Sequence, residues 1–236
     1  MEEFLTRTYK RSQVEQVISM RESRLPDGRI DPALRSRLKR LLDADRASVS
    51  DDQVRAGKRL AFLDGIKPGA GSEIGYSAYQ AFALLTGIRL LQGGLTEGRT
   101  VALLQRTRPT LERAFARIAA VPRRQLQHEY RDPDDPKDIG ITALQAEQRV
   151  RDGFIVDRPE KMTFLVEVIG KTESDDLSSA DAEGASLSVC NYEQLYWRLR
   201  YISHIGKTAV IVELTNAAHQ MLYFLPHTTV RKRGRQ

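Results

Sequence analysis

Residues 75–104, GYSAYQAFALLTGIRLLQGGLTEGRTVALL, decide how the front of this chain folds. Ala81, Leu84, Leu85, Ile88 and Leu91 recur at three- and four-residue steps, which puts them on one face of a helix. Ser77 stands where that helix would be capped. Gln92-Gly93-Gly94 stops it, because glycine takes the positive φ of a C-terminal cap without steric cost. Thr96 then caps a second helix through Val101 and Leu104. Two helices joined by a tight glycine turn need a partner surface, and the flanking segments must supply it.

Upstream, Val14, Val17 and Ile18 predict a short amphipathic helix over residues 10–23, with Ser12 as its N-cap. LPDGRIDP is a turn cluster, and its closing Asp31-Pro32 opens a second helix with an acid at the cap and proline in the first turn. That helix, residues 33–46, carries Leu34, Leu38, Leu41 and Leu42 on one side, with Arg35, Arg37, Lys39, Arg40 and Arg46 around the rest. A third helix is expected from Ser50 through Leu63, then a glycine- and proline-rich break at residues 65–72. Downstream, Thr107-Arg108-Pro109 predicts an interruption. Leu111, Phe115 and Ile118 continue the apolar stripe beyond it, and Arg106, Arg113, Arg117, Arg123 and Arg124 face outward.

The rear half reads differently. Residues 130–140, YRDPDDPKDIG, have no apolar pattern and predict a linker, followed by a brief helix over 142–151. Residues 163–170 and 186–190 predict strands on either side of a polar, acidic loop. Residues 192–201 predict an aromatic helix with Tyr192, Tyr196, Tyr201 and the single tryptophan, Trp197. Residues 208–214 predict a strand continuous enough to be buried. Beyond it the apolar spacing turns helical, with Thr215 or Asn216 as the cap and a hairpin strand as the alternative. The expected class is α+β: a mainly helical, winged-helix-like domain over 1–128, a linker over 129–141 and a small α/β domain with a basic tail over 142–236.

Charge divides the chain in the same way. Residues 1–128 hold 23 Lys/Arg against 14 Asp/Glu, and residues 129–236 hold 14 against 17, four of those 14 lying in the terminal RKRGR. A basic front suits an anionic partner, nucleic acid first among them, although a solvated arginine-rich helical surface produces the same count. The first residues, MEEFLTRTYKR, put acids first and lack an apolar segment, so no secretory signal is expected there. A single cysteine, Cys190, precludes an internal disulfide and favours a reducing, cytoplasmic setting. No apolar run is long enough for a membrane span.

Within residues 75–104, several positions resemble the second half of a MerR-type winged-helix DNA-binding domain. Gly75-Tyr76-Ser77 stand where that family's wing ends, and Leu84, Ile88 and Leu91 match its next helix. Gly94-Leu95-Thr96 and Leu103-Leu104 match its turn and following helix. Tyr9-Lys10-Arg11-Ser12-Gln13-Val14 is similar to the family's opening helix, and Leu34-Arg35 falls where a recognition helix is expected. The segment 23–72 is longer than the family's, and Glu73-Ile74 stands where an arginine usually precedes the wing tyrosine. The resemblance implies a transcription regulator that binds double-stranded DNA as a homodimer. Arg35, Arg37, Lys39 and Arg40 would enter the major groove. Lys67, Ser72 and Tyr76 would form the wing, and Arg89 and Arg99 would clamp the backbone. That reading implies a nucleoid-associated location. An adaptor module meeting an acidic partner, such as a phage or mobile-element accessory protein, is the competing reading.

Signals for catalysis are poor, and no enzyme activity and no cofactor or metal is expected. His128, His204, His219 and His227 lack metal-ligand spacing. Gly206-Lys207-Thr208 lacks the upstream glycine of a phosphate-binding loop and runs into a strand, and no Gly-x-Ser-x-Gly is present. Asp134-Asp135 reads as solvated loop acids, and Cys190 as a small buried hydrophobe. Tyr192, Tyr196, Trp197 and Tyr201 suit either core packing against the strands or a partner or ligand surface. A small-molecule effector is compatible with the rear domain but has no sequence signal of its own.

Overall fold

The structure is a computed structural model that describes residues 7–22, 30–64, 74–121, 161–169, 187–204 and 207–228. The chain is α+β, with a helical front half and small antiparallel sheets. Among the described residues no helix is long and apolar enough to cross a membrane. Packing divides the chain into two units, one within residues 1–112 and 221–236, the other within 113–220. The expected linker and the helix over 142–151 lie outside the described residues, as do the loop before Leu187, the basic tail and Arg123 and Arg124.

In the first unit, β1 (Tyr9–Lys10) leads into α1 (Arg11–Glu22). Ser12 does not cap α1 but sits inside its first turn; the Lys10 amide instead donates to Gln13 Oε1 at 3.0 Å. Asp31 caps α2 (Pro32–Ala47), accepting from the Ala33 amide, with proline in the first turn as anticipated. Its Leu34, Leu38, Leu41 and Leu42 are buried. Ser50 and Gln53 form a reciprocal capping box on α3, but that helix is only Asp51–Arg55 rather than continuing to Leu63. Gly57, at φ 94°, turns the chain out of the helix.

The segment after Gly57 is irregular yet buried: Leu60, Ala61, Phe62 and Leu63 all lie in the core. Their backbone polar groups need partners inside the protein. Two charged side chains supply them. Asp45, fully buried on α2, accepts from the Ala61 and Phe62 amides at 2.8 and 3.0 Å and from Gln105 Nε2 at 2.9 Å. Arg108, only 1% exposed, donates to the carbonyls of Leu60 and Leu63, and pairs with Asp64 and Glu112.

Two further helices follow, β2 (Gly75–Tyr76) leading into α4 (Ala78–Gln92) and then α5 (Glu97–Ala120), whose residues up to Glu112 belong to this unit. Ser77 and Gln80 form a capping box at the start of α4. At its end the Leu95 amide donates to the Leu90 carbonyl and the Gly94 amide to Leu91, with Gly94 at φ 95°. This is the doubly bonded glycine cap that the Gly93-Gly94 pair predicted. Thr96 Oγ1 accepts from the Arg99 amide and caps α5. Pro109 does not break α5, which runs through it. The proline removes one intrahelical bond, while the neighbouring Arg108 anchors the helix to the 60–64 segment. Near the C-terminus, Gln13 Nε2 donates to the Thr228 carbonyl at 2.9 Å and Arg21 lies 4.0 Å over the Phe224 ring.

The second unit contains a three-stranded antiparallel sheet ordered β4-β3-β5, from β3 (Thr163–Ile169), β4 (Leu187–Asn191) and β5 (Thr208–Glu213). Val166 opposes Ser188 on one side and Ile211 on the other. The strand expected to be buried is an edge among the described residues, and only part of it is buried: Val210 and Val212 of β5 are buried, whereas Ile211 between them is exposed. That alternation is the mark of a half-solvated antiparallel strand. Helix α6 (Tyr192–His204) places Leu195 and Ile202 against Phe164, Val166 and Cys190. The spacing after Leu214 does form a helix, α7 (Thr215–Phe224). Thr215 and Asn216 lie within its first turn rather than ahead of it. Glu213 accepts from the Asn216 amide, and the buried Thr215 hydroxyl accepts from the Thr163 amide at 2.8 Å.

Candidate nucleic-acid interface

The leucine face of α2 fixes its orientation, and Asp31 fixes its start: the Asp31 amide donates to Ser19 Oγ on α1 at 3.0 Å. With Leu34, Leu38, Leu41 and Leu42 inward, Arg35, Arg37, Lys39 and Arg40 are all exposed around the rest of the helix, Lys39 and Arg40 nearer the side opposite the leucines and Arg35 and Arg37 on the two flanks. The four cations are not electrostatically equivalent. Arg35 lies 3.3 Å from Glu15 Oε2, whose other oxygen pairs with Arg11 at 2.7 Å. Arg40 lies 2.9 Å from Glu97 at the start of α5. Glu97's carboxyl is held below its ordinary range, first by its own backbone amide and then by Arg40. Arg37 and Lys39 face solvent between these two pairs. The helix therefore offers a cationic strip of about two full and two shared charges to a phosphate backbone.

Other anticipated contact residues fall elsewhere. Tyr76 is 0% exposed and sits in the β1–β2 ladder opposite Tyr9. A side chain buried to that degree cannot touch a phosphate, so Tyr76 is a core residue and not part of an interface; burial also pushes its phenol pKa up. Lys67 and Ser72 lie outside the described residues. Arg89 is mostly buried and pairs at 3.1 Å with Glu22, tying α4 to α1. Arg99 stands exposed in the first turn of α5.

The sequence reading missed Asp45 and Arg108, the two charged residues on which the 60–64 segment depends. Burial works against the Arg108 charge, but the hydrogen bond to Glu112 and the proximity of Asp64 outweigh it and raise its pKa. The signal available for each was a charge at an apolar-spaced position: Asp45 stands four and three residues after Leu41 and Leu42, and Arg108 between Leu104 and Leu111.

The second unit holds two features. Tyr192, Tyr196, Trp197 and Tyr201 are 51%, 58%, 57% and 61% exposed, which excludes the core-packing alternative for them. Separately, a cavity of about 410 Å³ is bounded by Arg117, Lys161, Thr163, Cys190, Asn191 and Gln194, among others. Cys190 is buried at its edge, and that burial pushes the thiol pKa up. A raised pKa disfavours the nucleophilic thiolate. The chain matches no protein-family model and no curated protein.

Proposed function

We propose that this chain binds double-stranded DNA as a homodimeric transcription regulator, with α2 laid in the major groove and the glycine-rich stretch before β2 near the backbone. The observation that carries this reading is the division of α2 into a buried leucine face and an exposed strip of Arg35, Arg37, Lys39 and Arg40. A helix held to a core by one face and cationic on the other is what groove docking needs. The net basic charge of residues 1–128 supports approach to a polyanion, and the MerR-type resemblance points the same way. A cytoplasmic, nucleoid-associated location belongs to this reading. A small effector, if one acts on the protein, would fit the cavity beside Arg117 and Lys161, since pockets of that size hold compact ligands.

Fluorescence anisotropy with labelled duplexes tests the proposal. Binding should weaken steeply as salt rises, and a selected duplex should outcompete random sequence. Arg37→Ala should cost about 1–3 kcal/mol if its contact is to a base edge, and Lys39→Ala should weaken all duplexes alike. Absence of duplex binding at low salt would sink the reading. Binding to an acidic protein without any preference among duplexes would instead favour the adaptor alternative.

A further inference from the structure

Five of the seven large apolar side chains exposed among the described residues lie on one helix, α6. With 100° per residue, Leu195 and Ile202 turn toward the sheet, while Glu193, Tyr196, Trp197 and Arg200 share the opposite face, with Tyr192 and Tyr201 on its two flanks. We infer that this face is where two copies of the chain meet, their α6 helices antiparallel about a two-fold axis between Tyr196 and Trp197.

The order of residues along the face supports a second copy over any other occupant. A two-fold contact must be self-complementary, since the same patch on each copy meets itself after rotation. In this register Glu193 meets the partner's Arg200, while Tyr196 meets the partner's Tyr196 on one side of the axis and Trp197 meets the partner's Trp197 on the other. The acid stands in the first turn and the arginine two turns later, so antiparallel pairing brings opposite charges together twice. A parallel pairing would set Arg200 against the partner's Arg200.

The geometry within one copy is already ordered for contact. Tyr196 and Trp197 meet edge-on at 5.5 Å, and Arg200 lies 5.6 Å over the Trp197 ring. Tyrosine, tryptophan and arginine are the types that dominate interface energetics.

Sedimentation equilibrium of the full chain without DNA is the test, so it stands or fails apart from the nucleic-acid reading. The wild type should be a dimer at micromolar concentration, and emission from Trp197, the only tryptophan, should shift to the blue as concentration rises. Glu193→Arg and Arg200→Glu each place like charges together and should raise the dimer Kd by about a hundredfold or more. Mixing the two variants should restore a dimer, because the heterodimer regains both opposite-charge contacts. Far-UV circular dichroism should be unchanged in both, as each position is exposed. A wild type that stays monomeric overturns the inference. So does a dimer whose Kd neither variant moves, or a mixture that does not re-associate.

Discussion

Two aspartates on α2 show how a charge can occupy a core position. Asp45 follows Leu41 and Leu42 by four and three residues and so falls on the leucine face, while Asp43 falls opposite it. Asp43 is exposed, while Asp45 is fully buried and accepts from the Ala61 and Phe62 amides. What an acid at that core position serves is a segment sixteen residues away that has no regular structure and therefore no internal partners for its backbone. Arg108 does the same work for the Leu60 and Leu63 carbonyls. Asp45→Ala should leave at least two buried N–H groups without an acceptor. At about 1–3 kcal/mol each, the loss should be roughly 2–6 kcal/mol in urea unfolding. Asp43→Ala, on the exposed side, should change stability by no more than about 0.5 kcal/mol. Equal midpoints for the two variants would show that the 60–64 segment does not depend on Asp45.

At the scale of elements, the helix ends were legible because they are written in local chemistry. Asp31-Pro32, Ser50 with Gln53, Ser77 with Gln80, Gly94 and Thr96 each satisfy or terminate a helix through atoms a few residues away. Positions whose role depends on distant packing were not legible: the edge placement of β5 and the burial of Tyr76. The early end of α3 was written locally, in Gly57, but that glycine was not read as a cap. The aromatic helix was legible as a helix, but its orientation was not. Two glycines of residues 75–104 separate local from distant causes. Gly94 has φ 95° and open space where a Cβ would stand, so Gly94→Ala should cost about 1–2 kcal/mol from backbone strain alone. Gly87 has ordinary backbone, but an added Cβ would come within 2.7 Å of Leu41 Cδ2 and 3.3 Å of Phe62. Gly87→Ala should therefore cost about 1–3 kcal/mol through overpacking of α4 against α2. Shortening the obstructing leucine in Gly87→Ala/Leu41→Ala should recover part of that loss relative to Leu41→Ala alone. No such shortening should rescue Gly94→Ala. Thermal or urea unfolding of the set distinguishes strain from steric crowding.

At the scale of the whole molecule, charge is arranged more finely than the halves of the sequence suggest. The net excess of residues 1–128 is real, yet part of it is neutralised within α2's own surroundings by Glu15 and Glu97. An exposed ion pair contributes little stability, about 0–1 kcal/mol, so these acids are a small asset to the fold. Toward a polyanion they are a liability, because Arg40 must give up Glu97 to contact a phosphate. Glu97→Gln should thus leave folding nearly unchanged while strengthening duplex binding, and it should steepen the dependence of log K on log salt by up to about one counterion. Arg40→Ala should lose most of that gain when combined with Glu97→Gln, because the two residues act as one unit. Arg37→Ala should weaken binding by the same factor in either background, since Glu97 is paired with Arg40 and not with Arg37. Anisotropy titrations at several salt concentrations on the four-member Arg40/Glu97 cycle measure the coupling directly. If removal of the acid leaves both affinity and salt slope unchanged, Arg40 does not reach the phosphates, and the cationic face of α2 is only a solvated surface.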